Sequence, residues 1–209
     1  MTIASEEGTV RPTPLGRTLF VMAARAEYRA GLSALVDPFF CGVGPVEAAV
    51  ETALRVAREP IDAIVSLGSA GSARLPVGTV REIASVAYRD MDASPFGFEP
   101  GVTPFAGIEA TVALEPAFGI ETASLSTGAA VVSGDAYAIL DADMVDMETW
   151  ALVRLAQRSG IRLAGLRGVS DGAAPVSRYE DWTDALDIVD DGLARVLARW
   201  LRNEPSASS

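Results

Sequence analysis

The 209-residue chain contains no histidine and a single cysteine, Cys41. The first absence removes Ser-His-Asp and Cys-His catalysis, together with most zinc sites. Proton transfer near neutral pH then falls to carboxylates, amines, tyrosine or the thiol, each tuned by its surroundings. The lone cysteine excludes an internal disulfide and fits a reducing, cytoplasmic setting. Within "DPFFCGVG" it reads as a buried small hydrophobe rather than a nucleophile. No apolar run approaches the roughly 20 residues of a membrane span, and the opening "MTIASEEGTVRPTPLG" lacks the basic start and apolar core of a signal peptide. Nor is there a basic stripe. With a net charge of −11, neither nucleic acid nor a membrane is an expected partner. No cluster of side chains has plausible ligand chemistry, so neither a metal nor a cofactor is expected.

What the chain does have is apolar mass: 49% of its residues are hydrophobic. One domain of this length buries roughly 70% of its unfolded surface. Residues 1–15 and 203–209 read as a flexible arm and tail, and 16–202 as the domain. "RTLFVMAA", "DPFFCGV", "IDAIVSL" and "RLAGLRGV" read as buried strands, and "TVREIASVAYRD", "EATVAL", "ETASLST" and "AAVVSG" as a β-rich middle. Helices are expected over "AEYRAGLSAL", from Pro45 through "VEAAVETALRVA", from near Met147, and from about Tyr179 to Arg202. Strand–helix alternation at both ends predicts an α/β fold, with a mostly parallel sheet covered on both faces. Ligands in such sheets bind beyond the carboxyl ends of strands. That rule selects the segment after "LFVMAA" and the GVG, GSAG, SGDAY and SDG turns.

One stretch breaks its own pattern. In "VDMETWALVRLA", Glu148 shares a helix face with Ala151, Leu152 and Leu155, while Arg154, Gln157 and Arg158 form the wet face. An acid near a helix start is favoured by the dipole, so the stretch alone leaves placement and function both open. Other candidates are equally plain in isolation. Glu27 is a surface helical acid, and Asp171 an Asp-Gly turn or cap. Arg167, inside an apolar strand, needs a partner, structural or functional. "GSAGS" offers backbone amides to a ligand oxygen but lacks the spacing and lysine of a P-loop. Phe96 and Phe98 lie in a loop, for packing or for binding.

In combination these pieces are more specific. "GSAG", "Y-x-D-x-D-x-x-x-FGF", "VSGDAY", "DME" and "RGVSD", in that order, resemble the purine nucleoside phosphorylase and nucleosidase superfamily. Within it the chain is most similar to the bacterial 5'-methylthioadenosine/S-adenosylhomocysteine nucleosidases, from about residue 18 to 200. The resemblance implies a three-layer α/β/α sandwich around a mixed, partly barrel-like sheet, and a homodimer. It also implies site roles. Glu148 would hold the ribose hydroxyls with Met147 beneath the sugar. Asp171, held by Ser170, would protonate adenine N7. Tyr137 would stack on the base, and the Ala138 backbone would read its edge. Glu27 would activate a water surrounded by Ser69, Ala70, Gly71 and Arg167. Phe96 and Phe98 would line the 5'-substituent pocket of the neighbouring subunit.

The chemistry accounts for three acids. Cleaving an N-glycosidic bond passes through an oxocarbenium-like ribose, and adenine leaves poorly unless protonated. An acid at N7 therefore needs burial to lift its pKa toward working pH. Glu27 must be ionised beside its water, and Glu148 is expected to stay anionic, favouring charge on the sugar. The expected activity is hydrolysis of methylthioadenosine-type nucleosides. Phosphorylases of the superfamily resemble one another in carrying an arginine where this chain has Ser66, which favours water over phosphate, although Arg25 lies near a phosphorylase arginine. A non-catalytic nucleoside-binding relative is the third reading. Eleven positions separate Tyr137 from Glu148, about half the nucleosidase interval, the segment from Phe105 to Thr127 is also short, and Arg89 replaces a usual histidine. These departures bear on pocket width and on the 5'-substituent.

Overall fold

Alternation along the apolar strands decides how the helices are placed. The computed structural model describes residues 7–172 and 182–203. Its strands are β1 (Arg11–Thr13), β2 (Gly16–Met22), β3 (Phe39–Phe40), β4 (Ala63–Gly71), β5 (Val80–Tyr88), β6 (Thr111–Ala113), β7 (Thr122–Thr127), β8 (Met144–Asp146) and β9 (Arg162–Asp171). The helices are α1 (Ala30–Ser33), α2 (Pro45–Val56), α3 (Thr149–Ser159) and α4 (Leu186–Leu201). Leu19 and Val21 of β2 and Ile64 of β4 face one core, completed by Ala48 of α2 and Trp150, Leu152 and Val153 of α3. Phe20, Met22, Val65 and Leu67 face the other, completed by Leu32 of α1 and Val189, Leu193, Leu197 and Trp200 of α4. Period-two strands between period-3.6 helices thus give three layers, the α/β/α sandwich expected.

The sheet is mixed, and part of it closes. β4 pairs with β8, β8 with β7, β7 with β5, β5 with β9, and β9 returns to β4. This five-stranded ring is the barrel-like part, with β2, β1 and β3 extending it beyond β4 and β6 flanking β5. Pairing is parallel between β2 and β4 and between β4 and β9, but antiparallel at β1–β2, β4–β8, β5–β6 and β5–β9. The ladder between β4 and β9 runs in step from Ala63↔Arg162 to Ala70↔Val169 and then shifts, setting Gly71 opposite Asp171. Ser170 is the extra residue, a bulge that re-aims the end of β9.

Several local expectations change. "AEYRAGLSAL" is not one helix but a 3-10 turn over Arg25–Glu27 followed by α1. The buried Asp190 carboxylate accepts the Arg29, Gly31 and Leu32 N–H groups and so fixes a fresh helix start. "AAVVSG" forms no strand: the Gly128 and Ala130 carbonyls accept from Arg89 and the Ala129 N–H donates to Asp90, so side chains replace a ladder. Within the expected arm, Arg11–Thr13 pairs with β2 as β1. Residues 1–6, 204–209 and the expected helix start at 179–181 lie outside the described residues. Among those described, no helix is long and apolar enough to cross a membrane.

Candidate active site

A cavity of about 590 Å³ opens where several strands end. β2 delivers Ala23, Ala24 and Glu27, β4 ends in Ser69, Ala70 and Gly71, β5 leads to Arg89, and β7 leads to Ala130, Val131 and Val132. β8 supplies Val145 and Asp146 and leads into Met147 and Glu148; β9 supplies Ser170 and Asp171. Val43 and Trp182 complete the wall. Glu27, Glu148 and Asp171, far apart in sequence, therefore border one space.

Each acid is held differently. Glu27 is buried, and its Oε1 accepts the Ser69 N–H at 2.7 Å and the Ser69 hydroxyl at 2.6 Å. The "GSAG" residues are thus the end of a strand, not a turn, and the Ser69 amide serves Glu27. Trp182 extends the chain of contacts by donating its indole N–H to the Ser69 hydroxyl at 3.0 Å.

Glu148 is the N-cap of α3, which starts at Thr149, two residues later than the expected start near Met147. Its Oε1 accepts the Gly44 N–H at 2.8 Å. Gly44 sits at φ 93°, which favours glycine, and Pro45 follows as the first residue of α2. Burial, then the neighbouring Asp146 charge, push the Glu148 carboxyl up to about 7. This direction runs against the plainly anionic state expected of Glu148.

Asp171 accepts the Ser170 hydroxyl on Oδ1 at 2.7 Å. Burial raises its pKa, and the Ser170 hydrogen bond only partly opposes this. That is the direction a proton donor needs.

The other sequence candidates divide. Met147, Ser69, Ala70, Gly71 and Ser170 border the cavity with the acids. Arg167 does not. Its guanidinium pairs with Asp146 at 2.9 Å, both side chains buried, and also donates to Ser66 Oγ at 3.0 Å and Thr149 Oγ1 at 2.7 Å. It borders only a small void behind Glu27 and Glu148, shared with Cys41 and Ser66. Cys41 is buried as expected, and burial pushes its thiol up to about 12, which leaves it unreactive. Tyr137 lies in a 3-10 turn over Gly134–Ile139, its hydroxyl against Gly71, while Ala138 is exposed outside the wall. Phe96 is 84% exposed, and Phe98 packs edge-on against Phe105. Neither phenylalanine borders the cavity of its own chain.

Among the wall residues to which the sequence assigned no role are Trp182 and Arg89, the latter noted only for standing in place of a histidine. Trp182 sits in the acid-rich "YEDWTDAL", where nothing local marks it; the only clue is that a buried indole N–H needs an acceptor. Arg89 donates from Nη1 to the Ser126 and Asp146 carbonyls and from Nη2 to those of Gly128 and Ala130. It braces the wall and spends both terminal nitrogens doing so.

The fold is shared with solved structures of nucleosidases. The 5'-methylthioadenosine/S-adenosylhomocysteine nucleosidase of Colwellia psychrerythraea, in complex with adenine, matches with a TM-score of 0.72 at 21% identity, over 95% of this chain and 99% of that one. Futalosine hydrolase of Helicobacter pylori matches with a TM-score of 0.76 at 16% identity, over 89% and 97%. A model of the phosphorylase superfamily matches residues 38–202, and the chain belongs to that superfamily. Among sequence relatives, the 5'-methylthioadenosine/S-adenosylhomocysteine nucleosidase of Halalkalibacterium halodurans is 28% identical over 172 residues, 70% of this chain and 73% of that protein. The Colwellia psychrerythraea nucleosidase is 42% identical over 65 residues, a match spanning 27% of its length.

Proposed function

We propose that the protein hydrolyses the N-glycosidic bond of 5'-methylthioadenosine/S-adenosylhomocysteine-type adenine nucleosides, releasing adenine and a ribose derivative. The observation that carries this reading is the convergence of Glu27, Glu148 and Asp171 on one cavity. Asp171, its pKa raised by burial, donates a proton to N7 as the base departs. Glu27, oriented by Ser69, accepts a proton from the attacking water. Glu148 engages the ribose hydroxyls at the start of α3, and binding there favours its ionised form, which stabilises positive charge on the sugar. Met147 packs beneath the ribose, and Tyr137 and the Ala138 backbone meet the base. Arg167 acts indirectly, holding Asp146 and the α3 start behind the acids.

Water is favoured over phosphate by the charges on the wall. Arg89 is the only cation among the described lining residues, and four backbone carbonyls occupy its terminal nitrogens. Ser66 accepts from Arg167 instead of supplying positive charge. A phosphate dianion would meet Glu27 and Glu148 without a free counter-charge among the described lining residues.

A homodimer accompanies this reading. Val46, Val50 and Leu54 are all at least half exposed and recur at helical spacing along the outer face of α2, and the exposed Val43 at the cavity rim precedes the helix. Pairing through that face would cover the stripe, and the exposed Phe96 would be free to meet a partner's site.

An ultraviolet assay of base release over adenosine analogues, with and without phosphate, tests the proposal. Release that needs no phosphate and yields a free sugar is expected. Strict phosphate dependence with a sugar phosphate product would overturn hydrolysis, and tight binding without turnover would leave a nucleoside-binding protein.

A further inference from the structure

The 3-10 turn that carries Glu27 is held on its far side by a carboxylate that lies outside the cavity wall. Asp190, buried on α4, accepts the Arg29 N–H at 3.0 Å, the Gly31 N–H at 2.7 Å and the Leu32 N–H at 3.2 Å. Gly31 makes this approach possible, since a Cβ there would lie 2.7 Å from Asp190 Oδ2 and 3.0 Å from the Ala194 side chain. The N-cap of α1 is Arg29, whose side chain caps nothing, and Leu32 is the one residue that this short helix buries. Packing of its own therefore does little to place it. A local serine or aspartate cap would satisfy the same N–H groups. A cap supplied from α4 does more, because it also fixes where the segment lies.

Arg29 stands two positions after Glu27, and β2 ends at Met22 on the other side. The Glu27 backbone is thus strung between a strand of the sheet and one carboxylate of α4. Its side chain meets the same region by a second route. Trp182, just ahead of α4, donates to the Ser69 hydroxyl, which donates to Glu27. We infer that Asp190 is a positioning residue for Glu27, setting where its carboxylate meets the attacking water. The inference rests on the reading of Glu27 as the group that accepts the water's proton. That work needs the carboxylate within about 2.6–3.2 Å of the water, and a misplacement of about 1 Å can cost 10²-fold. Glu148 and Asp171 stand on α3 and β9, so the grip on the nucleoside does not pass through Asp190.

Base release from 5'-methylthioadenosine is followed in the wild type, in Asp190→Asn and in Gly31→Ala, with kcat expressed per folded molecule from thermal melts. The first variant turns an amide NH2 toward the N–H groups, and the second presses on the same contact from α1. Each is expected to lower kcat by about 10- to 100-fold and to leave KM within about twofold, the pattern of an interaction made only in the transition state. Both substitutions are then repeated in a Glu27→Gln background, where they should cost nothing further, because the group they position is already disabled. The Gly31→Ala pair decides the matter should Asp190→Asn not fold. An equal loss in both backgrounds, an unchanged kcat or a rise in KM alone overturns the inference and leaves Glu27 as the proton acceptor. Near-normal turnover in Glu27→Gln, or a wild type that releases no base, overturns the reading of Glu27 and this inference with it.

Discussion

The Glu148 carboxylate accepts the Gly44 backbone N–H at 2.8 Å, tying the start of α3 to the start of α2. The same carboxyl is pushed up to about 7 by burial and by Asp146, from 4.5. Between those values the folded chain holds a proton that the unfolded chain has released. Stability therefore falls as pH rises through that window. Glu148→Gln keeps an oxygen for the Gly44 N–H and removes the titration. Thermal melts from pH 5 to pH 8 should show the variant's Tm declining less than the wild type's and exceeding it at the alkaline end. Parallel Tm curves would place the penalty elsewhere.

Asp171→Asn preserves an acceptor for Ser170 and removes the proton donor. Base release should fall by about 10²- to 10⁴-fold, with the far-ultraviolet circular dichroism unchanged. In the wild-type protein, the raised Asp171 pKa predicts activity that fades on the alkaline side as the group ionises. Near-normal turnover in the variant would remove Asp171 from the mechanism.

Arg167 and Asp146 form a buried pair at 2.9 Å. Arg167→Met leaves the Asp146 carboxylate buried without its cation, a loss that costs about 3–5 kcal/mol. Denaturant titration should show a midpoint shift of that size. A change below about 1 kcal/mol would mean water replaces the guanidinium.

Trp182 steadies Ser69, which in turn orients Glu27. Removing the indole N–H in Trp182→Phe should lower kcat by up to about tenfold, the scale of one hydrogen bond. The Tm should stay within a few degrees of the wild type. An unchanged kcat would make Trp182 a wall residue only.

The exposed stripe on α2 predicts self-association. Sedimentation should give a dimer for the wild type and a monomer for the double substitution Val50→Glu and Leu54→Glu. A monomeric wild type would reassign the stripe to a different partner.

Much of this architecture was legible in the residues. The apolar strands gave their two-sided packing directly, since Leu19 and Phe20 must face opposite cores. Glu148 announced itself by standing on an apolar helix face, and Arg167 by standing in an apolar strand. The function of that arginine was not legible, because its partner Asp146 is set by the β7–β8 pairing and not by local sequence. "AAVVSG" misled for a related reason. Its β-branched pattern is real, but Arg89 and Asp90, some forty residues earlier, take over its backbone groups. Trp182 was invisible because its acceptor, Ser69, lies 113 positions away.

The additional residue at the end of β9 separates two tasks that a regular strand would fuse. As far as Val169 the strand obeys strict alternation, with Leu163 and Val169 in one core and Ala164 and Leu166 in the other. Any change of side chain there is a change in scaffold packing. Past the offset, Ser170 and Asp171 border the cavity and no longer keep that rhythm. Selection, or a protein engineer, can therefore vary the chemistry of this corner while leaving the framework that carries it untouched.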